Sequence, residues 1–334
     1  MRPSQLRPIA LLILVVLVLQ ACGGVYPQSA LHPSSDFATR VHDLFVGIFW
    51  WAVVVFVVVE GVLLYVLLRF RERPGDARPR PVHGNTPLEI GWTLAPALIL
   101  VAIAIPTIKT IFVVDGPPPD DPLTVEVVGK QWWWEFRYPE LDLVTANEAH
   151  IPVGRPVEFR LRSADVVHSF WIPRLGGKRD LVPGRENAIW LTADSAGTYL
   201  GQCAEFCGIA HALMGMRVVA EEPAAFRTWV ERMRAPAAEP VSEEARQGKE
   251  LFLRSACIGC HRVAGTPAAG TVGPDLTHVG SRSTLAAGLL PNTPEELARW
   301  IQNPQQIKPG NFMLGLGLTD EQAARIAAYL SGLK

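Results

Sequence analysis

Charge of one sign is what this 334-residue sequence lacks most plainly: 31 Lys and Arg stand against 32 Asp and Glu, a formal net charge of −1. Chains that bind nucleic acid usually carry a strongly basic face, so no nucleic-acid partner is expected. Cysteine is scarce as well. The five, Cys22, Cys203, Cys207, Cys257 and Cys260, each fall inside a short motif. That leaves no thiol over for a structural disulfide framework. A Cys203–Cys207 disulfide is the pairing to weigh against metal binding, and neighbouring residues of ligand type favour the metal. Apolar residues, by contrast, are plentiful, and the mean hydropathy of +0.19 points to membrane segments.

Arg2 and Arg7 precede an apolar run, Ile9 to Leu19, that is too short to span a bilayer. This is the pattern of a signal peptide over residues 1–21. It ends in Leu19-Gln20-Ala21-Cys22, which resembles the lipobox of bacterial lipoproteins. The resemblance implies that Cys22 is lipidated and begins the mature chain; the alternative is an ordinary signal peptide with an incidental cysteine. Two longer runs follow within a hairpin at 36–114, with spans at about 44–70 and 91–112. The first exceeds the ~20 residues a bilayer needs. Pro96 and Pro106 are tolerable in a membrane helix whose neighbours satisfy the freed backbone groups. Arg69, Arg71, Arg73, Arg78 and Arg80 crowd the connector. By the positive-inside rule the connector is cytoplasmic and both ends face outward, the orientation a lipobox also requires. Glu60, within the first span, is costly there unless it meets protein or water, and reads as an interfacial or partner-paired carboxylate. Glu89 stands at the cytoplasmic mouth of the second span, where a solvated face is the default.

Asp115 to Pro122 is a stiff, turn-rich breaker. Beyond it, Leu123–Val128, Pro156–Arg162, Ala188–Leu191, Gly197–Gln202 and Met216–Ala220 read as short strands separated by turn residues. Their spacing predicts an all-β sandwich over 123–222. A helical pattern, Pro223–Met233, and an Ala/Pro linker fill 223–241. From 242 to 334 the periodicity is helical. Thr293-Pro-Glu-Glu296 and Thr319-Asp-Glu-Gln322 have the capping-box form, the second opening a closing helix, Glu321–Leu330.

Cys203-Ala-Glu205-Phe-Cys207-Gly-Ile-Ala-His211-Ala-Leu-Met214 gathers two thiols, an imidazole and a thioether, and His168 lies upstream in Asp165-Val-Val-His168-Ser169. Soft sulfur ligands combined with imidazole select copper over hard cations. Zinc is the chemical rival, but a closed zinc site has no use for the Met. Cys-x-Glu-x-Cys-x3-His-x2-Met, after an upstream Asp-x-x-His-Ser, resembles the binuclear copper-A site of cytochrome c oxidase subunit II, carried on a cupredoxin fold. The resemblance implies that Cys203 and Cys207 bridge two coppers sharing one delocalised electron. His168 and His211 would each terminate one copper. Met214 would be the weak ligand on one ion and the Glu205 carbonyl on the other; Met216 breaks the family's spacing. It further implies a magnesium ion at the boundary with subunit I, held in part by the Glu205 side chain. Lys130-Gln131-Trp132-Trp133-Trp134 is similar to the family's aromatic stretch, which makes Trp132 the residue where electrons arrive, although strand tryptophans also serve as core. Glu89, three residues before Trp92, matches the family's Glu near the mouth of a proton path into subunit I.

Cys257-Ile-Gly-Cys260-His261 is the c-type haem attachment motif, with a chance CxxC or a zinc knuckle as the alternative. Two thioethers would fix the porphyrin, and His261 would be the proximal iron ligand. Lys308-Pro-Gly-Asn-Phe-Met313 resembles the distal-Met segment of class I cytochromes c, although Leu314 follows where that family has Pro. A Met/His-ligated haem suits one-electron transfer at raised potential. Gly273-Pro274-Asp275-Leu276 matches the family's loop beside the proximal His, and is equally a plain core turn.

The combination resembles subunit II of caa-type oxidases: a two-helix transmembrane hairpin, an all-β cupredoxin-like sandwich and an all-α class I cytochrome c domain. The resemblance implies an oxidoreductase and translocase in the bacterial cell membrane, with copper and haem on the outer, periplasmic face. Electrons would pass from haem c to copper-A and on to haem a of subunit I, where oxygen is reduced and protons are pumped. Subunits I and III would be partners, and an external cytochrome or quinol:cytochrome c reductase the donor. Quinol oxidases lose the copper ligands that are present here. A nitric oxide reductase with a copper-A subunit, or a non-enzymatic copper carrier, remain as other readings.

Overall fold

The computed structural model describes residue 24, residues 26–71, residues 75 and 81, and residues 83–334. The signal-peptide run, Cys22, Arg73, Arg78 and Arg80 lie outside the described residues.

Two long helices open the described chain, α1 (Asp36–Arg69) and α2 (Thr86–Val114). Their apolar stretches are not buried inside the structure, as expected where lipid must supply the missing contacts. Helix α1 begins well before Leu44, because its first turn belongs to the outer domain. Ser35 caps it by accepting from Ala38 N at 3.0 Å, Phe37 and Ala38 are buried, and Asp36 Oδ1 accepts from Thr192 N at 2.7 Å. Asn85 caps α2, and Pro96 and Pro106 lie inside it. Past its end, the Trp190 indole donates to Gly116 O at 2.9 Å. Each membrane helix is thus fastened to the outer domain by polar contacts at its outer end.

The outer domain is a sandwich of ten strands: β1 (Leu123–Lys130), β2 (Trp133–Tyr138), β3 (Leu143–Ala146), β4 (Glu148–Pro152), β5 (Val157–Ser163), β6 (His168–Trp171), β7 (Arg179–Leu181), β8 (Asn187–Leu191), β9 (Gly197–Cys203) and β10 (Gly215–Glu221). One sheet runs β3-β2-β1-β5-β8, the other β4-β10-β9-β6-β7. The pairs β1/β5 and β4/β10 are parallel and the others antiparallel. Leu123, Val125, Val127, Phe159, Leu161 and Phe170 fill the space between the sheets. Helix α3 (Pro223–Arg234) lays Phe226, Trp229 and Val230 on this same core, so it packs as part of the sandwich, and the connecting segment that follows starts at Ala235.

The C-terminal domain is built on α4 (Glu243–Arg254), α5 (Cys257–Cys260), α6 (Pro294–Gln302), α7 (Pro304–Ile307) and α8 (Asp320–Ser331). Helices α4 and α8 cross closely: a Cβ at Gly248 would sit 1.9 Å from Arg325 O, and Phe252 meets Tyr329 at 5.8 Å between ring centroids. Thr319 makes the full capping box with Gln322. At Thr293 only half forms, because the Glu296 carboxylate turns instead to Arg299 Nε at 2.9 Å. A two-residue ribbon, Thr284–Leu285 with Leu290–Pro291, interrupts the helical chain.

Candidate metal centres

Strand β9 delivers Cys203, β6 delivers His168, and the loop from β9 to β10 delivers Glu205, Cys207, His211 and Met214. The loop is held at both ends by backbone pairs, Cys203 N to Met214 O at 2.9 Å and Ala204 N to Ser169 O at 2.9 Å. The sulfurs of Cys203 and Cys207 stand 3.8 Å apart as free thiols, so the pairing as a disulfide is not made. His168 Nδ1 lies 3.8 Å from Cys203 Sγ and His211 Nδ1 lies 3.5 Å from Cys207 Sγ. Met214 Sδ is 3.8 Å from Cys207 Sγ, and Glu205 O is 3.2 Å from Cys203 Sγ. Met216 is buried two residues on, its Cγ 2.9 Å from where a Cβ of Gly201 would stand, in the sandwich core.

This donor set fits two soft ions better than one tetrahedral zinc. Four donors surround the two cysteine sulfurs, six in all, with one imidazole on the Cys203 side and the other on the Cys207 side; a single zinc takes four. Proton chemistry agrees. The Cys207 thiol hydrogen-bonds Cys203, and with His168 outweighs burial to hold the Cys203 thiol down to about 3, while Cys207 beside that thiolate is pushed up.

Two supports escaped sequence reasoning. Asp165 Oδ1 receives His168 Nε2–H at 2.7 Å, which turns Nδ1 toward the sulfur, as carboxylates behind ligating histidines do. A Cβ at Gly129 would come within 2.8 Å of the His168 ring. Asp165 had a signal, three residues before a candidate ligand; Gly129 had none, since the strand β1 that carries it is remote in sequence.

In the C-terminal domain Cys257, Cys260, His261, Pro274, Arg282 and Met313 line a cavity of about 480 Å³, within the ~300–1,000 Å³ range of cofactor sites. His261 Nδ1 donates to Pro274 O at 2.8 Å, which leaves Nε2 unprotonated and free for a metal. Burial holds the ring below the ordinary His value, hence neutral. A Cβ at Gly273 would stand 2.6 Å from the His261 ring, so the loop can lie against the imidazole only as glycine. Met313 is held by its own turn, Met313 N to Asn311 Oδ1 at 2.7 Å and Gln305 Nε2 to Met313 O at 2.9 Å. Thiols, a neutral imidazole and a thioether around one apolar cavity fit a covalently attached haem.

Trp132 and Trp133, from the sandwich, wall the same cavity. The Trp132 indole donates to Cys207 O at 3.0 Å and Gln131 Nε2 to the same carbonyl at 2.7 Å, tying the aromatic stretch to the sulfur loop. Trp134 is fully buried against Phe170. Glu89, far away at the start of α2, accepts from Asn85 N at 3.1 Å and serves the helix end as a cap.

Comparison with known proteins agrees along the whole chain. Residues 20–110 match the transmembrane domain of cytochrome c oxidase subunit II, residues 141–221 its periplasmic domain, and residues 245–334 cytochrome c. The chain is 39% identical to cytochrome c oxidase subunit 2 of Alkalihalophilus pseudofirmus, over 99% of this chain and 97% of that protein. It is 38% identical to that of Bacillus subtilis, over 98% of each. Quinol oxidase subunit 2 of Bacillus cereus is 33% identical over 70% of this chain and 80% of that protein. The solved periplasmic domain of subunit II from Bradyrhizobium japonicum covers 36% of this chain and 96% of that one, at 32% identity and a TM-score of 0.34. The chain belongs to the cytochrome c oxidase subunit II family, in the form that carries a cytochrome c domain behind the copper-binding one.

Proposed function

We propose that this chain receives electrons on a covalent haem c and passes them to a binuclear copper-A centre, from which they go on to haem a of subunit I. Cys257, Cys260, His261 and Met313 would hold the haem, and His168, Cys203, Cys207, His211, Met214 and the Glu205 carbonyl the two coppers. When bound, the two groups supply reversible one-electron chemistry. The chain's own residues hold the Cys203 thiol low, orient the imidazoles and exclude water. The observation that carries this reading is the convergence of four copper-type donors within 3.2 to 3.8 Å of one or the other of two neighbouring cysteine sulfurs.

The same reading makes the chain a subunit of an oxygen-reducing, proton-translocating enzyme, working with subunits I and III and fed by an external cytochrome or quinol:cytochrome c reductase. Its mature form would run from a lipidated Cys22 through the hairpin at 36–114, the copper domain at 123–222 and the segment 223–241 to the haem domain at 242–334. Arg69 and Arg71 support a cytoplasmic connector in a bacterial plasma membrane, with both metal centres on the periplasmic side. Trp132 would carry electrons to the copper pair, and the Glu205 side chain would contribute to a magnesium site facing subunit I. Glu89 would stand at the mouth of a proton path; unchanged turnover of a Glu89→Ala oxidase would remove that role. The direct test is metal analysis of the purified full chain. Two coppers sharing one unpaired electron and one covalent haem support the reading; a single zinc at Cys203 and Cys207 defeats it. Oxygen uptake by the whole complex with reduced cytochrome c separates it from a nitric oxide reductase.

A further inference from the structure

Four titratable side chains that hold neither metal meet on strands β2, β4 and β10: Tyr138, Glu148, His150 and Glu221. His150 Nε2 lies 3.5 Å from Glu148 Oε1, and Nδ1 lies 3.2 Å from Glu221 Oε2. The Tyr138 hydroxyl accepts from His150 N at 2.8 Å and donates to His150 O at 2.9 Å, and Trp229 covers the ring with centroids 4.5 Å apart. Both nitrogens of one imidazole thus face a carboxylate. Only the doubly protonated ring can donate to both. Burial opposes that charge, yet the two carboxylates raise the pKa of the ring. Glu148 also reaches the haem domain. Its Oε2 accepts from Ser283 N at 3.1 Å and from Ser283 Oγ, and Arg217 Nη1 donates to the same hydroxyl at 3.3 Å. Ser283 follows Arg282, which lines the haem cavity. Arg282 donates to Asp275 O, and its Nε is buried without a hydrogen-bond partner among the described residues. Burial pulls that guanidinium below its ordinary value, and Asp275 and Glu148 oppose the pull. Glu148 therefore stands between His150 and a cation in the wall of the haem cavity.

We propose that His150, on the copper domain, is a proton-binding residue linked to the redox state of the haem, through Glu148 and Arg282. This rests on the reading of the haem centre given above. When ferric haem takes one electron from its donor, a neutral His150 ring takes a proton from solvent. When the electron leaves, the proton returns; an N–H bond is the only bond made or broken. The link is electrostatic and reciprocal. The added electron favours the imidazolium, and the imidazolium, by offsetting Glu148, favours the added electron to the same degree. Unit charges separated by one or two layers of side chains change each other's equilibria by a factor of about 3–10. The sign follows: haem holds its electron more tightly while His150 is charged, and the gain is lost as pH rises through the titration of the ring. A second group could titrate beside the cavity. Lys308 donates Nζ–H to Trp132 O at 2.6 Å and to Ala286 O at 3.2 Å, and burial pulls it down to about 7. The two are separable, because Lys308 lies outside the His150 cluster.

The test uses the full chain in detergent, loaded with copper and haem, as wild type, His150→Gln and Lys308→Met. Redox titration of the haem absorbance gives the midpoint potential at a series of pH values. In the wild type the potential is expected to fall as pH rises past the ordinary His value, by the equivalent of about a 3–10-fold loss in the equilibrium constant for reduction. His150→Gln is expected to lose that fall and to keep the lower, alkaline potential at every pH; Lys308→Met is expected to retain it. Nuclear magnetic resonance of the wild type with carbon-13-labelled histidine supplies a second readout. The His150 ring, marked by the ring-current shift from Trp229, is expected to titrate at higher pH in the ferrous chain than in the ferric one. A purely structural role for His150 would not move with the redox state. Retention of the full pH dependence in His150→Gln, or a His150 titration that is the same in both redox states, would overturn the proposal. Should His150→Gln fail to bind haem, the wild-type resonance alone decides. A wild-type chain with no covalent haem would instead defeat the reading of the haem centre, recognised by its absorbance before any titration.

Discussion

Asp165 does at the residue scale what the ligands cannot do for themselves. By accepting from His168 Nε2 it fixes the tautomer that aims Nδ1 at Cys203, although burial alone would hinder its charge. Asp165→Asn is therefore expected to leave the sandwich folded but weaken copper binding by about 10–100-fold, read by competition with a copper chelator. Gly129→Ala forces a methyl against the same ring and is expected to lower copper occupancy with His168 itself unchanged. All the ligand-type side chains named from sequence converge, because Cys, His and Met at fixed loop spacing announce their chemistry. What positions them was only partly legible. Gly273 lies in the segment whose resemblance set it beside His261, whereas Gly129 and the partners of Lys308 are contacts with parts of the chain distant in sequence, and no local pattern marks those contacts.

Elements show the same division. Helices α3, α6 and α8 and strands β1, β5, β8, β9 and β10 follow from capping residues, helical periodicity and apolar alternation. Strands β4, β6 and β7 do not: Glu148–Pro152, His168–Trp171 and Arg179–Leu181 are short and carry buried or half-buried polar groups, so the alternation that betrays a strand is missing. Gly248 decides how closely α4 and α8 approach; Gly248→Ala is expected to destabilise the haem domain by about 1–3 kcal/mol, measured by denaturant unfolding. One cluster gives the sandwich a pH dependence. His150 stacks on Trp229 at 4.5 Å, with Glu148 at 3.5 Å, Glu221 at 3.2 Å and the Tyr138 hydroxyl on its backbone. Burial opposes charging the ring, yet the two carboxylates prevail and its pKa is raised. A raised pKa stabilises fully below the ordinary His value and the gain is lost as pH climbs through the shifted one. The melting temperature of the metal-free chain, followed by tryptophan fluorescence, is therefore expected to fall as pH rises past the ordinary His value, and His150→Gln to flatten that slope.

Across the described residues the parts are fastened in series. The membrane hairpin is fastened to the sandwich at Ser35, Asp36 and Gly116. The sandwich carries the sulfur loop, and the haem domain rests on it at Trp132, Glu148 and Gly215. On the proposed reading, covalent connection would turn delivery of an electron into an event within one chain, at an effective concentration set by the segment after Ala235. The linear order of hairpin, copper domain and haem domain was readable from motifs; their mutual contact was not, since it depends on surfaces that meet only after folding. The central claim is that haem c reduces the copper pair within the chain, and rapid reduction of the haem, followed by the copper absorbance, tests it most directly. The account predicts a first-order copper reduction whose rate does not change with protein concentration. A strictly second-order rate, rising in proportion to concentration, would contradict it.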